Sequence, residues 1–577
     1  MISQVVFDLP IEGPFDYLIP EALLAQVSVG MRVKVLFGPR AQIGFVTGLL
    51  EKSEIAKIKP ILSLCDTAVL FNHLDLSFAR EFSAYYACSL GEALATILRN
   101  KKELKPCIQR DHKPRLSLYR SSPDAYAGKI QKIIDEYRAQ YKDEAGDYCR
   151  FLILVPDIFR QELIVAQLKL GKSIKIGARS AVFESDGCYD CVIMIDDEDS
   201  SYKQEQTPMY ETRQVLLARS KIYGFDIAFV GVSPSVELME LVDQHQIKLI
   251  DASETVKKSK VVDLTNYKFI PGLLSPPVRD AIEAALKVQK KSILVLNRRG
   301  SYRLTRCVDC AEILKCSRCD SSLIYSRAEG KFLCRHCTAS VPGDTVCPKC
   351  HKPSWKSIGI GVEQVRTELK KQFPNATIAA FERASESLAN FDILVTTNAV
   401  LRFQGRLKVQ VAALIDFDAE INRLDMRSAF NAFSLVLHVT SMAQEAAFIQ
   451  TRNNNHYVLK HLSKGDIKGF YQEELGLRKE LGFSPFKHWI KMSWRGKEEK
   501  LTREMADSVY KELKQRATES LAITPPLADA VMRKRDQFRI NVMFQTDNVP
   551  QTVSFIKSTL AKLKRRSKVI MTINIDP

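Results

Sequence analysis

The sequence predicts a multidomain α/β protein: a small β-rich N-terminal domain, two doubly wound lobes interrupted by a cysteine-rich module suited to two zinc ions, and an α+β C-terminal domain. Three observations carry this. Short apolar runs broken by Gly and Pro fill the start of the chain. Apolar runs then alternate with helix-length amphipathic segments, as parallel strands buried on both faces require. Eight cysteines stand in four Cys-x-x-Cys pairs between residues 307 and 350.

In chain order, Val5–Phe7, Phe15–Ile19, Arg32–Phe37 and Ile43–Val46 read as strands of a small twisted sheet or barrel, followed by one helical stretch from Leu74 to Leu98. Phe151–Val155, Cys191–Ile195 and Ile227–Val230 form a first α/β series. Ile293–Leu296, Ile378–Ala380, Phe391–Val395 and Val411–Ile415 form a second, with the cysteine block inserted. Beyond residue 465 come a helix at Phe470–Leu481, a strand at Trp489–Trp494, a helix at Leu501–Arg516, a strand at Phe538–Phe544, a helix at Lys557–Lys564 and a strand at Val569–Ile575. The domain boundaries expected are 1–106, 107–260, 261–303 with 357–465, 304–356 for the cysteine module, and 466–577.

Hydrophobic content of 46% and charged content of 26% are those of a globular protein. No apolar run approaches the roughly 20 residues that cross a membrane, and Met1–Phe7 reads as a strand rather than a leader. A cytoplasmic protein with no membrane partner is expected, in a compartment where thiols stay reduced and available to metal. The net charge of +17 favours a polyanionic partner, nucleic acid above all. Basic residues gather at Arg99–Lys105, at Arg533, Lys534, Arg535 and Arg539, and at Lys562, Lys564, Arg565, Arg566 and Lys568.

The pairs Cys307/Cys310, Cys316/Cys319, Cys334/Cys337 and Cys347/Cys350 are the ligand set for two tetrahedral zinc ions. Each Cys-x-x-Cys turn sets two thiolates on one side of a tight knuckle, and two knuckles complete a shell. Spacing alone leaves open which knuckles pair.

At this point the sequence resembles one family over nearly its whole length, the primosomal protein N′ (PriA) family of bacterial replication-restart helicases. The resemblance rests on Phe15-Asp-Tyr-Leu-Ile-Pro20, Gly30-Met-Arg-Val-Lys-Val35, Asp199-Ser-Ser-Tyr-Lys-Gln204, Leu274-Ser-Pro-Pro277, Leu296-Asn-Arg-Arg-Gly300, the cysteine block, Gly482-Phe-Ser-Pro-Phe486 and Asp576-Pro577. It implies two RecA-like lobes and an N-terminal domain that binds DNA 3′ ends. It also implies nested zinc sites: Cys307, Cys310, Cys347 and Cys350 for one ion, Cys316, Cys319, Cys334 and Cys337 for the other. The partners implied are forked DNA, 3′ ends and single strands, primosome proteins, the replicative helicase and single-stranded-DNA-binding protein. The family's pocket for a terminal nucleotide maps onto Phe15, Asp16 and Lys59, an aromatic face, a carboxylate for a 3′ hydroxyl and an ammonium for phosphate. Arg533, Arg535, Lys564, Arg565 and Arg566 are the further DNA contacts expected.

The motor motifs depart from the family. A P-loop needs Gly-x-x-x-x-Gly-Lys-Ser/Thr to wrap phosphates in backbone amides and neutralise them with lysine. Its place, before a helix starting near Ala125, reads Leu118-Tyr-Arg-Ser-Ser-Pro-Asp-Ala-Tyr126, without glycine or lysine. Ile195, Asp196, Asp197 and Glu198 stand where the family has Asp-Glu-Glu-His, although an alignment slip of one residue restores the metal-holding Asp. His438–Glu445 stands where the family carries its ATP-reaching arginines, and contains none. Only about 15 residues separate Leu98 from the first lobe, too few for the family's winged-helix module. These departures predict a degenerate helicase core: DNA binding and replication restart without helicase activity, and doubtful ATP binding. Two other readings stay open, an active ATP-dependent 3′-to-5′ helicase and a zinc-ribbon adaptor for RNA or protein partners.

Overall fold

The computed structural model describes the chain apart from residues 56, 100–112, 141–148, 169–170, 172, 185–188, 252–257, 268–273, 297–303, 318–321, 327–328, 335–338, 359–360, 383–387, 389, 424, 519–520, 535 and 564–567. Five antiparallel strands open it, in the spatial order Phe15–Leu18, Ile2–Phe7, Arg40–Leu50, Arg32–Phe37, Ile61–Leu64. Alternation decides their faces: Val33 and Val35 are buried beside Val5, Phe7 and Val46, while Lys34 and Leu36 face outward. The helical stretch expected at 74–98 is two helices, His73–Tyr85 and Leu90–Ile97. Ala87 adopts a left-handed φ of 54°, and Ser89 caps the second helix by accepting from Glu92 N while Glu92 reaches back. That helix lies so close to Ile2–Phe7 that a Cβ on Gly91 would meet the Phe7 carbonyl oxygen at 1.7 Å.

Two six-stranded sheets follow, every neighbouring pair parallel. The first runs Lys248–Asp251, Leu116–Arg120, Asp226–Gly231, Cys191–Ile195, Phe151–Leu154, Ile174–Gly177. The second runs Lys260–Asp263, Ala443–Thr451, Val409–Leu414, Ser292–Val295, Ile393–Thr396, Ile378–Phe381. Central strands such as Phe151–Leu154, Cys191–Ile195 and Asp226–Gly231 are buried throughout, which is why they read as unbroken apolar runs. These are two RecA-like lobes. The cysteine block enters and leaves the second lobe through one strand pair, Leu304–Cys307 against Trp355–Ile358, so the lobe's sheet continues past it.

The last segment alternates strand, helix, strand, strand, helix, strand. Its antiparallel sheet is ordered Leu527–Lys534, Gln537–Thr546, His488–Gly496, Ile570–Ile575, with the short Ala522–Ile523 on the first edge. The helix expected at Lys557–Lys564 lies earlier, at Val549–Leu560. The Asn548 side chain caps it by accepting from Gln551 N, and a proline stands in its first turn. One hydrophobic core joins the N-terminal helices (Phe78, Phe82) to the first lobe (Leu216, Phe229) and the C-terminal domain (Ile490, Val553). Among the described residues no helix is long and apolar enough to cross a membrane.

Candidate metal centre and inter-lobe cleft

Two of the four cysteine knuckles are built alike. Cys307 N donates to Glu312 O (2.8 Å) and Ala311 N to Cys307 O (3.1 Å); Cys347 N donates to Lys352 O (2.9 Å) and His351 N to Cys347 O (2.9 Å). The fifth residue of each, Ala311 and His351, takes a left-handed φ of 61° and 59°. The two knuckles face each other. Cys307 Sγ lies 3.5 Å from Cys350 Sγ and Cys310 Sγ 3.5 Å from Cys347 Sγ, and all four sulfurs fall within 4.8 Å of one another. A tetrahedral shell with metal–sulfur bonds of ~2.3 Å has edges of about 3.8 Å, so the four thiols fit such an ion. Lys352 and Asp309, 2.8 Å apart, tie one knuckle to the other from outside. Of the second set, Cys316 and Cys334 are buried in a small cluster with Leu314, Leu323 and Phe332. Cys319 and Cys337 lie outside the described residues.

The cleft between the lobes is closed by side chains. Leu116–Arg120 leads through residues 121–125 into the helix Tyr126–Gln140, the turn where a P-loop would stand. Tyr126, wholly buried, donates its hydroxyl to Asp196 Oδ1 at the end of Cys191–Ile195. Arg160, from the helix Ile158–Gln167, is 7% exposed; its Nη2 lies 3.0 Å from Asp196 Oδ2 and its guanidinium 5.5 Å from the centre of the Tyr126 ring. The same Nη2 donates to Gln404 Oε1 of the second lobe (2.9 Å), and Gln404 Nε2 meets His438 Nδ1 (2.8 Å). His438 Nε2 returns to the first lobe at Glu198 Oε1 (2.9 Å), which also accepts from Ser233 Oγ (2.9 Å). Ser233 in turn meets Ser434 at 2.7 Å.

A polar chain thus crosses the interface three times, at Arg160–Gln404, Glu198–His438 and Ser233–Ser434. Beside it Lys408 pairs with Asp124 at 3.1 Å. Gly405, at φ +78°, brings its loop so near that a Cβ would lie 3.0 Å from the Pro123 carbonyl oxygen. Burial pushes the Glu198 carboxyl up to about 7, against the hydrogen bond from His438 and with the help of Asp196. Burial works against the imidazolium of His438, but the Glu198 contact outweighs it and raises that group as well. The pair therefore retains a proton near neutral pH. Asp196, Glu198 and His438 also stand close enough to share a metal ion, but Arg160 already supplies a cation to Asp196.

The expected 3′-end residues share one edge of the N-terminal sheet. Phe15 is half-buried against Phe37 and Phe7, with ring centres 5.3 and 5.8 Å away. Asp16 accepts from Ser53 Oγ, and the exposed Lys59 donates to Gly38 O at 2.9 Å. Leu18 N donates to Lys59 O (3.0 Å), which holds the Lys59 segment beside the strand of Phe15 and Asp16. Arg533 sits in the strand Leu527–Lys534 with its backbone opposite Phe538. Arg535, Lys564, Arg565 and Arg566 lie outside the described residues. Sequence reading missed Arg160 and Gln404, which belong to no motif, and met Tyr126 only as the end of the segment that lacks a P-loop. His438 drew notice only as part of a segment lacking arginine.

The architecture is helicase-like: two parallel-sheet lobes meeting across a cleft, with a β-rich domain whose helices pack on the first lobe. Residues 4–99 match the PriA 3′ DNA-binding domain (3′BD) family. The replication restart protein PriA of Treponema pallidum is 24% identical, the match covering 100% of this chain and 99% of that protein. PriA of Borreliella burgdorferi is 26% identical over 72% of this chain and 66% of its own length, and PriA of Haemophilus influenzae 23% identical over 100% and 99%. Along its whole length, then, the chain resembles replication restart protein PriA. A solved structure of S. cerevisiae Dbp5 bound to RNA and ADP BeF3 matches 64% of this chain and 90% of its own at 8% identity, with a TM-score of 0.33.

Proposed function

We propose that this chain is a replication-restart protein that binds forked DNA and helps reload the replicative helicase, with lobes that do not hydrolyse ATP. The likeness to PriA from end to end and the 3′ DNA-binding domain support DNA binding and restart. The observation that carries the loss of the motor is the cleft: Tyr126, just after the turn where phosphates would be cradled, and Arg160 are locked onto Asp196, and Gln404 and His438 close the cleft from the other lobe.

Phosphoryl transfer needs a phosphate cradle, a metal held by a free carboxylate and an arginine at the transferring group, a term alone worth on the order of 10³ or more in rate. Here the carboxylate is spent on a protein guanidinium. The lobes then act as a scaffold that holds the 3′-end, cysteine and C-terminal regions around a fork. Two zinc ions held by the eight cysteines would cross-link the inserted block, and primosome proteins, the replicative helicase and single-stranded-DNA-binding protein would be its partners.

Steady-state ATP turnover measured with and without forked DNA tests the reading. No turnover above buffer is expected, and DNA-stimulated hydrolysis with unwinding would restore the active-helicase reading. For the 3′-end pocket, Asp16→Ala should weaken binding to free 3′-hydroxyl ends by about tenfold, the scale of one hydrogen bond to a charged group. Ends blocked at the 3′ position should lose little, and an equal loss on both would remove the pocket assignment.

A further inference from the structure

The loop that follows the strand Arg40–Leu50 is tied at both ends to the strands that carry Asp16. At its start Leu50 stands opposite Ile2, and on the other side of the same strand Ile2 stands opposite Leu18. At its end Leu18 N donates to Lys59 O at 3.0 Å, and Pro60 is bridged to Leu18. The chain therefore leaves one side of Ile2–Phe7 and returns on the other. Asp16, two residues before Leu18, shares a face of its strand with Leu18, because side chains alternate. From this loop Ser53 Oγ donates to Asp16 Oδ2, and the same oxygen accepts from Ile55 N at 3.1 Å.

These two bonds fix a direction. A serine hydroxyl holds one proton, and the Ile55 amide already supplies a donor to its oxygen, the turn that Ser makes with the N–H two residues on. The proton is left for Asp16, whose ionised carboxylate can only accept. An aspartate carboxylate otherwise turns broadly about its last torsion. With Oδ2 engaged it is held, and among the described residues no donor meets Oδ1. No cation pairs with Asp16 among those residues either, since Lys59 donates to Gly38 O instead.

We infer that Ser53 is a positioning residue of the 3′-end pocket: it holds one oxygen of Asp16 so that the other is presented to the terminal 3′ hydroxyl. The inference rests on the 3′-end reading of Phe15, Asp16 and Lys59 given above, and it adds a residue from a different part of the fold. The ordering of the carboxylate is completed in the folded protein, so the strand end does not bear that entropy cost when it binds. Ser53 itself does not touch DNA; it acts through Asp16, and its whole effect should pass through that side chain.

Anisotropy with the full chain tests it, using one labelled oligonucleotide that ends in a free 3′ hydroxyl and the same oligonucleotide ending in a dideoxynucleotide. The wild type should prefer the free end by about tenfold, the scale of one hydrogen bond to a charged group. Ser53→Ala should cut that preference to about threefold or less. Its binding to the dideoxy end and its melting temperature should stay as they are, because the loop is tied down by main-chain bonds. Ser53→Thr, which keeps the hydroxyl, should restore the preference. In an Asp16→Ala background Ser53→Ala should change nothing further, as two residues acting through one contact require. An undiminished preference in Ser53→Ala, an equal loss on both ends, or no rescue by threonine would overturn the role of Ser53 and leave the pocket in place. A wild type that bound both ends alike would remove the pocket itself, and this inference with it.

Discussion

The cysteine knuckles and the inter-lobe cleft each bring anionic or thiol side chains together, and they are built in opposite ways. At the knuckles four thiols converge, and Lys352 and Lys349 beside them reach Asp309 and Glu312. In the cleft the anionic side chains are already answered from within: Asp196 by Arg160 and Tyr126, Glu198 by His438 and Ser233. A site kept for a cation leaves its donors unneutralised. The cleft supplies cations and donors from its own chain, because a buried unpaired carboxylate is too costly to keep.

The largest effect that would sharpen this contrast is at the knuckles. Cys307→Ser should lower the zinc content of reduced protein from about two ions per chain to about one and expose the block to protease, while the lobes, with cores of their own, keep their melting transition; structural zinc supplies on the order of 10 kcal/mol to such modules. Unchanged metal content would break the comparison on that side. In the cleft, Arg160→Ala leaves Asp196 buried without its cation and should cost about 3–5 kcal/mol in denaturant unfolding. If Mg²⁺ and ATP instead stabilised the wild type as much as this substitution destabilises it, the cleft would be a working nucleotide site.

The smallest effect is in pH. Folding raises Glu198 from 4.5 to about 7, so its contribution is full below about 4.5 and is lost as pH rises through about 7. His438, raised from 6.5, adds a loss in the same direction above that value. Stability should therefore fall from about pH 5 to pH 8, and Glu198→Gln, whose amide does not titrate, should flatten the fall. An identical pH profile for the variant would show that the pair carries no such coupling.

Much of this could be read along the chain, where the causes are local. Cys191–Ile195 and Val409–Leu414 are legible as strands because burial on both faces demands uninterrupted apolar residues. A Cys-x-x-Cys turn declares its chemistry within four residues. Edge strands such as Lys248–Asp251 and Lys260–Asp263 escaped notice because one exposed side admits polar residues, and the break near Ala87 depends on a single left-handed residue and a cap. Spacing left open that Cys307 and Cys310 face Cys347 and Cys350, since four identical knuckles carry no mark of their partner; the resemblance implied it and the tertiary structure brings them together. Only tertiary structure set Arg160 on Asp196, and Gln404 and His438 against Arg160 and Glu198. Those residues stand 36, 244 and 240 positions from the groups they meet, counting Asp196 less Arg160 and the two bonded pairs Arg160/Gln404 and Glu198/His438. Sequence determines which charges the chain must bury, but their neutralisation depends on which of them the packed lobes bring within reach.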